Sequence, residues 1–293
     1  MTYVVGYSPH KDDGSALELA CQLARSESDQ VHAVTVVPRG WGNPLAGDTD
    51  REFEQWAAAE GEASADLAMR HLGEQPEVEA TASWITGRSV PQALLERATE
   101  LDASILVVGS GEDTADGQVS LTSKTSRLVH SSDVPIAIAP RGYDCGGGRI
   151  TRVTVGFRDD DTAWSLLEKV ARICRRVNAQ LRVVTFVVRP RRMATTTVSH
   201  AEDQILQQWV NQVTNAQVEA ADFLASQGFD GDDVELLLAE GDSWKEAIQT
   251  LSWQAGDILV VGSSSTHQLS QVFLGSSASK IVRLSPVPVV VVP

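Results

Sequence analysis

Cysteine is scarce in this chain. Three residues, Cys21, Cys145 and Cys174, stand among 293, an odd number with no CxxC spacing. That excludes a disulfide framework and a cysteine zinc site, and it fits a reducing compartment, so the cytoplasm is the expected location. Long apolar runs are also missing. No stretch approaches the 18 or so residues of a membrane helix, and the chain starts on a strand-like Thr2-Tyr3-Val4-Val5-Gly6 rather than on a basic-then-apolar leader. Positive charge is in deficit: 24 Lys and Arg face 39 Asp and Glu, for a net charge of −15. An acidic surface repels nucleic-acid phosphates and anionic lipid, which argues against a nucleic-acid or membrane-surface binder. Catalytic signatures are absent as well. None of the six histidines belongs to an HExxH or a lipase-type GxSxG setting.

What is present is one pattern written twice. Ile105-Leu106-Val107-Val108-Gly109-Ser110 and Ile258-Leu259-Val260-Val261-Gly262-Ser263 are identical at an offset of 153. Val153-Thr154-Val155-Gly156-Phe157 answers Tyr3-Val4-Val5-Gly6-Tyr7, Gly241-Asp242-Ser243 answers Gly87-Arg88-Ser89, and Val287-Pro288-Val289 answers Val134-Pro135-Ile136. A fixed period of this length marks a tandem architecture. The expected domains are residues 1–140 and 150–293, joined by a glycine-rich linker over 141–149 in which Cys145 is expected to be exposed. Cys21 and Cys174 fall at buried helical positions. The charge divides unevenly, with 10 basic and 23 acidic residues through Gly148 but 14 and 16 beyond it.

In each copy, short β-branched runs alternate with helical patterns, the signature of a parallel sheet with crossover helices. The second copy shows a stripe of Trp164, Leu167, Ala171 and Cys174, then strand runs at 181–188 and 234–238 separated by a helix from Ala201. Ser243-Trp244-Lys245-Glu246 and Ser89-Val90-Pro91-Gln92 have the form of helix capping boxes. The expected fold class is α/β: two tandem, doubly wound, parallel five-stranded sheets, Rossmann-like, with helices on both faces. Ligands of such sheets sit at the carboxyl ends of the strands where strand order reverses, here after Gly6 or Gly156 and after Gly109 or Gly262.

The loop after the fourth strand of the second copy runs Gly262-Ser263-Ser264-Ser265-Thr266-His267, and the next helix begins at Gly275-Ser276-Ser277. Glycines admit close backbone approach, and hydroxyls with free helix-start N–H groups donate to phosphate oxygens. The same residues also suit an ordinary polar loop with a serine cap. With its V-V-G-S strand end, G-S helix start and V-P-V strand, the chain resembles a tandem universal stress protein over nearly its full length, an adenine nucleotide α-hydrolase-like fold. In that family a G-x2-G-x9-G-[S/T] loop marks ATP binding. The second copy reads Gly262-x2-Ser265-x9-Gly275-Ser276, fitting three of four positions. The resemblance implies that Gly262, Ser263 and Ser265 approach the phosphates of ATP or a related adenine nucleotide, with or without Mg, and that Gly275, Ser276 and Ser277 hold them.

The first copy departs further. Its loop reads Gly109-x2-Glu112-x9-Thr122-Ser123, and Glu112, Asp113 and Asp116 oppose a triphosphate unless a divalent ion intervenes. The aspartate that ATP-binding members carry after strand one is Ser8 in the first copy and Arg158 in the second. Arg158 suits a phosphate or another anion. Three readings follow: a stress-response ligand sensor binding nucleotide in its second domain only, a non-nucleotide member acting as a scaffold for a protein partner, and, third, a small enzyme acting on a phosphorylated substrate, which needs a basic or catalytic cluster around Arg158. The resemblance adds pairing of the two copies through strand five, an internal pseudo-dimer, and leaves a homodimer of whole chains open. Arg189-Pro190-Arg191-Arg192 is the densest basic cluster, and it lacks the interleaved aromatics of a nucleic-acid patch.

Overall fold

The computed structural model describes residues 1–10, 13–40, 47–75, 77–188, 199–231, 233–265 and 272–293. The first repeat runs β1 (Thr2–Gly6), α1 (Ser15–Glu27), β2 (Gln30–Pro38), α2 (Gly47–Gly73), β3 (Glu79–Gly87), α3 (Val90–Glu100), β4 (Ala103–Gly109), α4 (Ser123–Ser131) and β5 (Ile136–Ala139). The second runs β6 (Arg152–Gly156), α5 (Asp161–Val177), β7 (Gln180–Val188), α6 (Ser199–Ser226), β8 (Val234–Gly241), α7 (Trp244–Gln249) and β9 (Asp257–Gly262). A two-residue ladder of β10 (Ser264–Ser265) with β11 (Val272–Phe273) follows, then α8 (Ser276–Leu284) and β12 (Val289–Val292). The basic cluster at 189–192 and His267 lie outside the described residues.

Each repeat contributes five parallel strands, and the two sets join edge to edge in one sheet of order β3-β2-β1-β4-β5-β12-β9-β6-β7-β8. The join is antiparallel: Val289 faces Ile138, Val290 faces Ala137 and Val291 faces Ile136. Ala137 and Val290 are equivalent positions of the repeat, so the pairing is centred on a local pseudo-twofold axis, as in an isologous dimer interface. Strands five, fully buried but for Val292, thereby lose the open edges that either repeat alone would expose.

Alternation along the strands assigns the helices to faces. Tyr3 and Val5 pack with α1 and α5, together with Ala68 and Leu72 of α2 and Ala220 and Leu224 of α6. Val4 points the other way and joins Leu94 of α3, Leu128 of α4 and Ile281 of α8. Both clusters mix residues of the two repeats, so the core is continuous across the seam. Leu167, Ala171 and Cys174 form the buried stripe of α5, with Trp164 at its edge, and Cys21 is buried on α1.

Local details differ from expectation at two points. Ser243 caps α7, accepting from Glu246 N at 3.2 Å, while the Glu246 carboxylate takes Asp242 N, one residue earlier than a capping box requires. Ser89 makes no side-chain cap: Pro91 in the first turn already removes one free donor, and the Gln92 amide turns to Glu96 at 2.9 Å. The glycine-rich segment is not a loose tether. Gly142 N donates to Asp13 at 2.6 Å, Tyr143 N to Ser15 Oγ at 2.9 Å, and Arg25 to Gly148 O at 2.6 Å. Cys145 is half-buried rather than exposed, its thiol donating to Glu18 at 3.1 Å; burial and that carboxylate push the thiol pKa up.

Two predictions follow from these contacts. Arg152 and Asp257, nearly inaccessible, pair between the starts of β6 and β9 with Nε to Oδ1 at 2.9 Å. Asp257→Ala strands the buried guanidinium and is expected to cost about 3–5 kcal/mol in urea unfolding; a loss below about 1 kcal/mol contradicts that role. The second concerns acid. Burial alone raises the pKa of Asp13 and Glu18, but hydrogen bonds from Ser15 and Gly142 to the first, and from His71 and Cys145 to the second, bring both below the ordinary value. Their contribution is fully present above the usual carboxylate range and is lost as pH falls through the lowered values. The melting temperature is expected to stay level from pH 7 to 5 and to drop below about pH 4, with a shallower drop for Asp13→Asn.

Candidate functional site

The switch point of the second repeat, between the carboxyl ends of β6 and β9, opens into a cavity of about 910 Å³. Gly156, ending β6, and Gly262, ending β9, lie at its floor. Arg158, Gly262, Ser263, Gly275, Ser276 and Ser277 all line it, so six of the residues singled out by sequence meet in one place. The side chain of Ser265, the seventh, lies outside the described residues.

The side chains over the equivalent strand-one glycines of the two repeats differ. At Gly6 a Cβ would lie 2.8 Å from Leu94 Cδ1, because α3 brings that leucine over the end of β1. At Gly156 the same test meets Val261 Cγ1 at an ordinary 3.6 Å. The helix that follows β8 is also shorter, six residues in α7 against eleven in α3.

The polar groups of the two loops contrast in the same sense. In the first repeat Ser110 Oγ donates to Ala139 O at 2.7 Å and accepts from Ser120 N, and Ser120 Oγ accepts from Gly111 N at 2.9 Å. Thr122 caps α4 through its hydroxyl, which accepts from Thr125 N at 3.1 Å. That loop satisfies itself. In the second repeat Gly275 stands at the equivalent cap and supplies no side chain, and the first intrahelical bond of α8 is Ser279 N to Gly275 O at 2.9 Å. The N–H groups of Ser276, Ser277 and Ala278 precede it, at the positive end of the helix dipole. Ser263, equivalent to Ser110, is 7% exposed, and its hydroxyl is buried with no hydrogen-bond partner among the described residues. A buried unpaired hydroxyl costs about 1–3 kcal/mol. A ligand oxygen within reach would relieve it.

The mouth is charged. Arg158 Nε and Nη2 both reach Asp160 Oδ2 at 2.7 Å, while Asp160 Oδ1 caps α5 by accepting from Ala163 N at 2.9 Å. Partial burial would raise the Asp160 pKa, but bonds from Thr162, Ala163 and Arg158 bring it below the ordinary value, so it is ionised at neutral pH. Asp159 accepts from Trp164 Nε1 at 3.1 Å. Among the described residues, Glu219 also stands on the wall. These carboxylates do not form a cation cage: among the described residues, the cluster with metal-ligand spacing is Glu18, Asp144 and Cys145, on the opposite repeat.

Sequence reasoning missed the apolar wall. Phe186 of β7, Trp209 of α6 and Trp244 of α7 line the cavity, and the Phe186 and Trp244 rings lie 6.1 Å apart, tilted by 43°. Lys280 Nζ sits 5.8 Å from the Trp244 ring. A position-by-position comparison of the repeats carries the missing signal: Val36 of the first copy is answered by Phe186, and Val90 by Trp244.

The sequence pattern of the universal stress protein family matches the chain twice, over residues 1–140 and 149–293. A universal stress protein of Mycobacterium tuberculosis and one of Mycobacterium bovis are each 37% identical to it over 295 aligned residues, covering 100% of both chains. Among solved structures, a universal stress protein from Archaeoglobus fulgidus shares the fold with a TM-score of 0.61 at 15% identity, over 99% of this chain and 97% of its own. A Pseudomonas aeruginosa protein described as functionally unknown gives 0.60 at 14% identity, over 99% and 92%. Among the described residues no helix is long and apolar enough to cross a membrane.

Proposed function

The chain belongs to the universal stress protein family, and from that premise we propose that it is a cytoplasmic stress-response regulator whose second repeat alone binds an adenine nucleotide, ATP above all. The open cavity at the β6/β9 switch point is the observation that carries this reading. Its size suits a nucleotide, within the usual range for small-molecule pockets of about 300–1,000 Å³.

In this reading the phosphates lie at the start of α8, where the amides of Ser276 and Ser277 and the hydroxyl of Ser263 donate to them. Gly262 and Gly275 leave the backbone uncovered for that approach. The base packs toward Phe186, Trp209 and Trp244. Arg158 stands where nucleotide-binding relatives carry an aspartate and offers its remaining donor to an anion rather than accepting from a ribose hydroxyl. Mg carried on the nucleotide's own phosphates would offset the carboxylates of Asp159 and Glu219 beside the cleft. The first repeat has a loop whose hydroxyls already bond one another, and Glu112, Asp113 and Asp116 add repulsion.

Calorimetry with MgATP tests the reading. Wild-type protein is expected to bind one nucleotide per chain. Gly275→Val, at a backbone conformation any residue tolerates, φ −56° and ψ 159°, is expected to abolish binding by crowding the helix start. Ser263→Ala removes no existing hydrogen bond, so its melting temperature should equal or exceed that of wild type, while ATP affinity falls about tenfold, or about 1.4 kcal/mol. Absence of binding at millimolar MgATP, or unchanged binding by Gly275→Val, overturns the reading in favour of a scaffold for a protein partner. The Arg158–Asp160 pair across the mouth is the feature that favours that second reading.

A further inference from the structure

A second cavity, of about 270 Å³, lies between α1 and α5 over the central strands, where the two repeats meet. Its walls come from both copies and are aliphatic: Leu23 and Ile105 from the first, Ile150, Val170, Ile173 and Ile258 from the second. An apolar cavity of about 150 Å³ stays dry and takes one benzene, so this one has room for roughly eight to ten carbon atoms. A nucleotide is too large and too polar for it. Its position on the seam means that neither repeat alone would form it.

Most polar groups of the wall are paired or neutral, which selects the charge of a ligand. Glu27 of α1 is neutralised by Arg176 of α5, Nη2 to Oε1 at 2.8 Å, across the repeats. The Tyr3 phenol beside them stays protonated, its pKa pushed up first by burial and then by Glu27. The α-amino group of Met1 is taken by Asp29 at 2.9 Å. Lys169 remains: it lines the cavity, is exposed, and has no ion-pair partner among the described residues. That leaves, among the described residues, a single unpaired cation beside an apolar hollow on a chain of net charge −15.

We propose that the seam is a binding site for a medium-chain aliphatic carboxylate, with the tail between α1 and α5 and the carboxylate on Lys169. Leu166 lines both this site and the cleft of the second repeat, but the site's test uses no nucleotide. Octanoate titrated calorimetrically into the full chain, with no nucleotide present, is expected to bind at one molecule per chain. Ile173→Trp, at a mouth position 38% exposed in the native chain, plugs the entrance and should abolish binding. Lys169→Glu, at an exposed position, should weaken octanoate about tenfold and leave binding of 1-octanol unchanged. No octanoate binding by wild type, or equal binding by Ile173→Trp, overturns the site; an equal loss of octanoate and octanol in Lys169→Glu overturns the pairing. Circular dichroism of both variants confirms that they fold, and nucleotide affinity, measured separately, has no bearing on the outcome.

Discussion

The antiparallel pairing of β5 with β12 is the constraint on which the rest of the molecule depends. Three residue pairs centred on Ala137 and Val290 turn two five-stranded sheets into one of ten strands and close the most apolar edges of each repeat. Because strands within a repeat are parallel and the join is antiparallel, the carboxyl ends of the two sets point in opposite directions. The two switch points therefore lie on opposite rims of the sheet, although β11 of the second repeat's loop packs against α4 of the first. The same pairing sets α1 beside α5, creates the Glu27–Arg176 bridge and leaves the aliphatic hollow between them.

Once the scaffold is held at the seam, the two clefts are free to differ. The first has turned its polar groups inward: Ser110, Ser120 and Thr122 bond within the loop and helix start, and Leu94 covers Gly6. The second leaves Gly275 without a capping side chain and, among the described residues, Ser263 without a hydrogen-bond partner. Leu166 connects this cleft with the seam, since it lines both cavities and lies 3.3 Å from where a Gly262 Cβ would be.

Much of the fold was legible because repetition and periodicity are local properties of sequence. The identical Ile-Leu-Val-Val-Gly-Ser runs, the alternation of strand and helix patterns and the stripe ending at Cys174 locate the elements that the structure contains. The glycines and serines of the candidate site were legible for the same reason, since a helix start and a strand end are short-range features. What escaped depends on tertiary placement. Phe186 and Trp244 come from strands and helices more than fifty residues apart, and nothing in the spacing of either announces that they face one cleft. Cys145 looked exposed because its neighbours are glycines, yet its burial is set by Glu18 and Arg25 of a helix more than a hundred residues earlier. Ser89 failed as a cap although its sequence matches the box, because the following Pro91 and Glu96 offered alternatives that a four-residue motif does not contain.

The central proposal is that an adenine nucleotide binds at the cleft of the second repeat and not at that of the first. Backbone amide resonances of ¹⁵N-labelled protein, followed as MgATP is added, test it most directly. The expected result is displacement of the Gly262, Ser263, Ser276 and Ser277 amides with those of Gly109 to Ser123 unmoved. Displacement in the first-repeat loop, or none at the start of α8, would contradict it.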